Sequence, residues 1–247
     1  MPSMKLKSVD LSYVDEGEGQ PIVLVHGFAS SKEANWIDTG WVKLLVDSGY
    51  RVVAFDNRGH GQSTKFHSAS DYSLNLLVND TLELMDYLNL VSPHLMGYSM
   101  GARISARLAI GHSSRIDKLI LAGNGSSMID GSGDWTPVHD ALLAPTLADV
   151  TDPRGIAFRK FADQTKSDLV ALAKCVTAVR ELFRPEEFVE ILNETLIAIG
   201  TKDDIAGSGE QIVELLPSGH YLPIPNRDHM RAVGDEAYKS GVLDFLD

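Results

Sequence analysis

The chain has 247 residues, 44% of them hydrophobic and 23% charged, with a formal net charge of −12 at pH 7. That length suits one α/β domain with an insertion or two small domains, and the apolar content suffices for a buried core. The acidic balance argues against a nucleic-acid or anionic-membrane partner, and the single cysteine, Cys175, excludes an intramolecular disulfide, which makes a reducing cytoplasm the expected location. The N-terminal residues carry no apolar stretch of the signal-peptide kind, and no apolar run approaches the ~18 residues of a membrane span.

Residues 6–13 alternate apolar and polar side chains, which predicts a half-exposed strand. After the polar, glycine-bearing turn at 15–19, Pro21-Ile22-Val23-Leu24-Val25 is continuously apolar, as in a strand buried on both faces of a parallel sheet. It runs into His26-Gly27-Phe28. A helical stretch at 41–47 precedes a second buried strand at 51–55, followed by Asp56-Asn57-Arg58-Gly59-His60-Gly61-Gln62-Ser63. Leu74, Leu77, Val78, Leu82, Met85 and Leu88 keep helical spacing, with Asp71 as the expected N-cap. Pro93 then separates that helix from the strand beginning at His94.

The stretch Gly97-Tyr98-Ser99-Met100-Gly101 lies between this strand and a segment with helical spacing. A serine at such a junction has a cramped backbone, so glycines two places before and after it are required sterically. Residues 118–122 form the next strand, and the alternation of strand and helix predicts a doubly wound, mostly parallel sheet flanked by helices. From 124 to 193 strand-like runs are missing and helical patterns take over, including Leu169, Leu172, Ala173, Val176 and Val179, then Pro185 as a first helical residue. This predicts a helical cap, 124–193, inserted in a core formed by 1–123 and 194–247. The sheet resumes at 195–199, a helix is expected at 211–216, and a last strand at 221–225 is confined to the sheet edge by Pro223 and Pro225. A helix at 238–246 closes the chain.

Together these segments resemble the α/β-hydrolase family. Gly97 to Gly101 resembles its nucleophile elbow, His26-Gly27-Phe28 its His-Gly motif, and Asp56 to Ser63 its D-x-R-G-x-G-x-S turn. Gly200-Thr201-Lys202-Asp203 resembles its G-x-x-D acid loop, with all four segments in family order. The resemblance implies a Ser, Asp, His order for a catalytic triad. Ser99 would be the nucleophile. Asp203, favoured over its neighbour Asp204, would be the acid. Among the eight histidines, His229 follows the last strand and would be the base. His220 opens that strand instead, and about five strand residues span ~17 Å, too far for a hydrogen bond to Ser99. The backbone N–H groups of Met100 and Phe28 would form an oxyanion hole, with His26 structural.

The implied activity is hydrolysis of a carboxylic ester with a small, fairly apolar substrate, through an acyl-enzyme. Carbon–carbon bond hydrolysis and cofactor-free haloperoxidase or perhydrolase chemistry use the same triad and remain alternatives. Carbon–carbon hydrolases typically read G-N-S-M-G, from which Tyr98 departs. Dehalogenases and epoxide hydrolases carry aspartate where Ser99 stands, and proline iminopeptidases read G-G-S-W-G. A ligand-receptor use of the fold is a further alternative, disfavoured by a complete triad. No phosphate-binding glycine motif and no cluster with metal-ligand spacing occurs, so no cofactor or metal is implied, and a small-molecule substrate is the expected partner. Trp135, Leu142, Leu143, Phe158 and Phe161 are bulky residues with no sheet nearby, and they are expected to shape the substrate pocket.

Overall fold

Five apolar runs of four to six residues stack side by side as the parallel centre of an eight-stranded sheet. A computed structural model describes residues 2–247. The strands are β1 (Ser3–Lys5), β2 (Asp10–Glu16), β3 (Pro21–Val25), β4 (Arg51–Phe55), β5 (His94–Tyr98), β6 (Leu119–Ala122), β7 (Thr195–Gly200) and β8 (Gly219–Ile224). Their spatial order is β1-β2-β4-β3-β5-β6-β7-β8. β1 and β2 pair antiparallel with each other, and β2 pairs antiparallel with β4. All later pairings are parallel.

The helices are α1 (Trp41–Asp47), α2 (Leu74–Tyr87), α3 (Met100–His112), α4 (Ser127–Asp130), α5 (Thr136–Leu143), α6 (Pro153–Gln164), α7 (Leu169–Ala178), α8 (Gly209–Val213) and α9 (Glu236–Leu246). Successive strand side chains point to opposite faces, so the apolar runs feed two cores. Val23, Val25, Leu95 and Leu121 pack with Leu77 and Leu84 of α2 and Ile104 and Leu108 of α3. Ile22, Leu24, Met96 and Ile120 pack on the other face with Trp41 and Leu45 of α1 and Tyr238 and Val242 of α9. This two-sided burial is why the central strands read as unbroken apolar runs rather than alternating ones.

Several boundaries differ from expectation, among them the helix expected at 211–216, which is Gly209–Val213, and the last strand, which is Gly219–Ile224. The strand expected at 6–13 is a hairpin, with Leu6 N–H donating to Val9 O at 2.9 Å in the turn between β1 and β2. The N-cap of α2 is Ser73, whose side chain accepts from Leu76 N–H, while Asp71 lies in a preceding 3₁₀ turn. Pro185 begins a 3₁₀ segment, Pro185–Glu190, rather than an α-helix. β8 lies at the sheet edge, and His220, near its start, meets Glu194 Oε1 at 3.1 Å.

Between β6 and β7 all regular structure is helical, from α4 through α7 to the 3₁₀ segment. The tight helix α5 packs against α6 and α7, and Asp152 and Asp168 cap α6 and α7 by accepting from Gly155 and Ala171 N–H. Thr165 at the end of α6 donates from Oγ1 to Ala29 O at 2.9 Å, tying this segment to the loop after β3. No helix among the described residues is long and apolar enough to cross a membrane.

Candidate active site

β5 ends at Tyr98 and α3 starts at Met100, which leaves Ser99 alone to turn the chain. Its φ of 56° and ψ of −112° lie in a region that non-glycine residues rarely adopt, at a cost of about 1–3 kcal/mol. Three contacts hold it there. Ser99 N–H donates to Ala122 O at 2.7 Å, and Ser99 O accepts from Asn124 Nδ2 at 3.1 Å and from Arg103 N–H at 3.3 Å. The flanking glycines are dictated by close approach: a Cβ on Gly97 would lie 2.6 Å from Ala102 N, and one on Gly101 would lie 2.6 Å from the Val25 carbonyl carbon.

The loop after β7 folds back against the loop after β8. Lys202 N–H donates to Arg227 O at 3.0 Å, Asp203 N–H donates to Gly200 O at 2.9 Å, and a Cβ on Gly200 would lie 2.9 Å from the Arg227 carbonyl carbon. The Asp203 carboxylate is fully buried. Its Oδ1 accepts from Ile205 and Ala206 N–H, each at 2.9 Å, and its Oδ2 accepts from His229 Nδ1 at 2.8 Å. With the Nδ1 proton committed to Asp203, His229 Nε2 faces Ser99 Oγ at 2.9 Å as the acceptor of its proton. Ser99, His229 and Asp203 therefore meet in one hydrogen-bonded line. Asp204 is exposed and points away into a neighbouring cavity.

Two residues that hold this line have no local sequence signal. The Tyr98 hydroxyl donates to His229 O at 2.6 Å and its ring lies 5.7 Å from the imidazole. Burial, with Asp203 beside it, keeps that hydroxyl protonated well above its ordinary range. Gly123, at φ 61°, leaves room for this ring, since a Cβ there would sit 2.9 Å from Tyr98 Cζ. The other is Asn35, in a short π-helical turn, Glu33–Ile37, whose Oδ1 accepts from Gly27 N–H at 2.7 Å.

That bond presses the His26–Phe28 loop onto the serine. A Cβ on Gly27 would lie 3.4 Å from Ser99 Cβ and 3.3 Å from Tyr98 O. Met100 N–H, at the first position of α3, has no acceptor within the helix. Phe28 N–H has no protein acceptor among the described residues. His26 is fully buried and saturated: Nδ1 donates to Gly27 O at 2.7 Å and Nε2 accepts from Asn57 N–H at 2.9 Å. Burial pushes its imidazolium down, only partly opposed by Asp56.

Ser99 and His229 open on a cavity of about 360 Å³ whose walls include Gly27, Phe28, Tyr98, Phe158, Phe161 and Val233. A second cavity of about 350 Å³ lies on the other side of His229, against Asp204, Ile205 and Arg154. Of the bulky residues expected around the substrate, Phe158 and Phe161 line the first cavity. Trp135 instead packs on Phe158, ring centroids 5.0 Å apart, Leu142 is buried in the core, and Leu143 is exposed. Among the described residues no three of His, Cys, Asp and Glu gather where they could hold a metal ion.

Comparisons with known proteins identify the fold. A family model described as alpha/beta hydrolase fold matches residues 20–159. A non-heme chloroperoxidase of Kitasatospora aureofaciens is 36% identical over 269 aligned residues, covering 96% of each chain. A 2-hydroxy-6-oxo-6-(2'-aminophenyl)hexa-2,4-dienoic acid hydrolase of Metapseudomonas resinovorans is 28% identical over 270 aligned residues, covering 96% of this chain and 88% of the relative. The crystal structure of a bromoperoxidase from Bacillus anthracis superposes with a TM-score of 0.80 at 26% identity, covering 96% of this chain and 95% of that one. With a family match running from β3 into α6 and a full-length relative at 36% identity, this chain belongs to the α/β-hydrolase fold family.

Proposed function

We propose that this protein is a serine hydrolase that cleaves carboxylic esters of small, fairly apolar acids through an acyl-enzyme. The observation that carries the reading is the pair of hydrogen bonds, 2.8 and 2.9 Å, linking Asp203 to His229 and His229 to Ser99 at the wall of a largely apolar cavity. In this reading residues 124–193 are a cap over the core, and α6 contributes Phe158 and Phe161 to the acyl pocket.

A serine hydroxyl is a weak nucleophile until a base removes its proton during attack. His229 Nε2 takes the Ser99 proton as Oγ bonds to the ester carbon, and the carbonyl electron pair moves onto oxygen. The Phe28 and Met100 N–H groups hold that oxyanion, while Asp203 orients the imidazole and stabilises its cation. Collapse expels the alcohol, which takes the proton from His229. Water then repeats the sequence on the acyl-enzyme, releasing the acid and restoring Ser99.

The similarity to a non-heme chloroperoxidase favours a second reading on the same residues. Hydrogen peroxide in place of water would attack the acyl-enzyme and release a peroxy acid. That acid would pass an oxygen atom to a halide, giving hypohalite and returning the carboxylic acid. A series of p-nitrophenyl esters of increasing chain length, assayed with and without peroxide and bromide, tests both. Multiple turnover on the short esters is expected. Phe158→Ala with Phe161→Ala should shift preference toward longer chains by about tenfold, with less effect on the acetyl ester. No turnover on any ester would remove the first reading, and halogenation only with peroxide and a carboxylate present would establish the second.

A further inference from the structure

A third cavity, of about 250 Å³, lies where α3 meets the helical segment between β6 and β7. Its walls include Arg103, Arg180, Trp135, Ser127, Leu182 and the glycine-bearing turn at 131–133. It shares no lining residue with either cavity beside His229, and the Trp135 and Phe158 rings, packed edge to face, stand between them. Ser99 chemistry therefore does not use it.

Four arginines gather in this region, and they are not equivalent. Arg107 reaches Glu187 Oε1 at 2.8 Å and Glu181 Oε1 at 3.3 Å. Arg154 donates to Ser132 O at 2.6 Å and lies over Trp135. Arg103 and Arg180, the two that line the cavity, have no carboxylate within ion-pair distance among the described residues. Arg103 is 3% exposed, and its Nε is buried without a partner among the described residues. Its remaining nitrogens reach only backbone carbonyls, Ser127 O at 3.5 Å and Glu181 O. Arg180 stacks on the face of Trp135, 3.3 Å from the ring centroid. Its only hydrogen bond among the described residues is a long one from Nε to Val176 O at 3.4 Å, with neither Nη group bonded among them.

Two guanidinium groups at the wall of one cavity, with no counter-charge, are electrostatically costly in a partly desolvated setting. Burial disfavours the charge on both. Arg103 adds to the effect on Arg180, and no carboxylate opposes it there, only the Cys175 thiol. Glu181 acts on Arg103, but its carboxylate is bonded to Arg107 and lies outside the cavity lining. Guanidinium groups do not relieve such tension by losing a proton near neutral pH. An anion with two or more acceptor oxygens does relieve it, because the planar fork of each arginine matches that geometry.

We infer that the cavity between Arg103 and Arg180 is a binding site for a small oxyanion, a carboxylate or a phosphoryl group, which clasps the helical segment to the core. Arg103 comes from α3 and Arg180 from the chain just after α7, so one bound anion bridges the two layers. A chain of hydrogen bonds also links the site to the elbow, from Ser127 Oγ to Asn124 Oδ1 and from Asn124 Nδ2 to Ser99 O. The inference does not depend on the reaction proposed for Ser99.

Thermal unfolding of the full chain at constant ionic strength, with sodium chloride replaced stepwise by inorganic phosphate or by acetate, tests it. A ligand that binds only the folded state raises the midpoint in a saturable way. Phosphate, acetate or both should do so relative to chloride. A response to phosphate alone assigns a phosphoryl ligand, and a response to acetate assigns a carboxylate. Arg180→Gln should weaken the apparent affinity at least about tenfold, and Arg180→Lys should recover only part of it, since it keeps charge without the fork. In the unsubstituted protein the same anion should slow amide hydrogen exchange at 131–135 and 180–182, a readout that survives if a variant folds poorly. No rise beyond chloride with either anion, or an equal rise in Arg180→Gln, would overturn the inference.

Discussion

His26 and His229 are both buried near a buried carboxylate, and of the two only His229 faces a serine hydroxyl. Near β4, His26 sits beside Asp56, whose Oδ1 accepts from Lys32 N–H at 2.8 Å. Asp56 Oδ2 accepts from Lys32 Nζ at 2.7 Å and Gln62 N–H at 2.8 Å. At the other site Asp203 is equally sheltered and equally supplied with backbone donors. Both carboxylates accept from two backbone N–H groups, but Asp56 is paired with the Lys32 ammonium and Asp203 with the imidazole itself. The imidazoles differ as well. Both His26 nitrogens are consumed by backbone groups, whereas His229 spends Nδ1 on its carboxylate and turns Nε2 to a serine hydroxyl at a cavity wall. Burial beside a carboxylate makes a histidine well placed. An uncommitted nitrogen opposite a nucleophile makes it useful.

That contrast predicts where substitutions cost activity and where they cost stability. The largest effect is expected at Asp203. Asparagine copies its shape, but its amide can hold the wrong imidazole tautomer and supplies no charge for the imidazolium. By analogy with the known serine-protease example, kcat should fall by about 10²–10⁴ in Asp203→Asn. Asp204→Asn should cost less than about tenfold. Substrate-saturated rates on one ester at mildly alkaline pH separate the two, and the reverse order would move the acid to Asp204.

In the His26 region the large effect is on folding. Lys32 and Asp56 both have fully buried side chains, so Lys32→Met strands a carboxylate without its counter-charge. The loss should be about 3–5 kcal/mol in urea unfolding. A loss below about 1 kcal/mol would mean that the ion pair does little for this loop.

A pH-dependent effect is expected at His60. Its Nδ1 donates to Arg58 O at 3.0 Å, and burial, then the neighbouring His26, push its imidazolium down to about 3 from an ordinary 6.5. As pH falls the unfolded chain takes up this proton first. His60 therefore contributes its full stability above about pH 6.5, and loses it progressively toward about pH 3 at about 1.4 kcal/mol per pH unit. His60→Asn, whose amide can still donate to Arg58 O, should flatten the stability profile between about pH 6 and about pH 4 by that slope. An unchanged profile in urea titrations would contradict the burial of a neutral His60.

Where a residue's reason is local, the sequence displayed it. β3, β4 and β7 are legible because strands buried on both faces must be apolar throughout, and the turn at Ser99 because only glycine fits at 97 and 101. Ser99 could be singled out because it sits at a strand-to-helix junction between two glycines, and Asp203 and His229 because the loops after β7 and β8 resemble the acid and base positions of the α/β-hydrolase family. The β1–β2 hairpin was hidden, since its short first strand has too few residues to show a period. Asn35, Lys32, the Tyr98 hydroxyl and Arg103 were hidden for a different reason. Their partners lie outside their own elements, from eight residues away for Asn35 to 131 for Tyr98, so no spacing rule announces them, and Arg103 reads as one more position of an amphipathic helix. The helices α5 and α6 carry their apolar residues in stretches broken by turns and caps, which blurs their periodicity.

In the proposed mechanism Ser99 Oγ is the group that His229 activates. Intact-mass analysis after treatment with a fluorophosphonate, followed by peptide mapping, tests it most directly. One adduct per chain, on the peptide containing Ser99, is predicted. It should vanish in Ser99→Ala, with ester turnover lost by several powers of ten and the unfolding midpoint little changed. Labelling that persists in Ser99→Ala, or near-normal turnover by that variant, would contradict it.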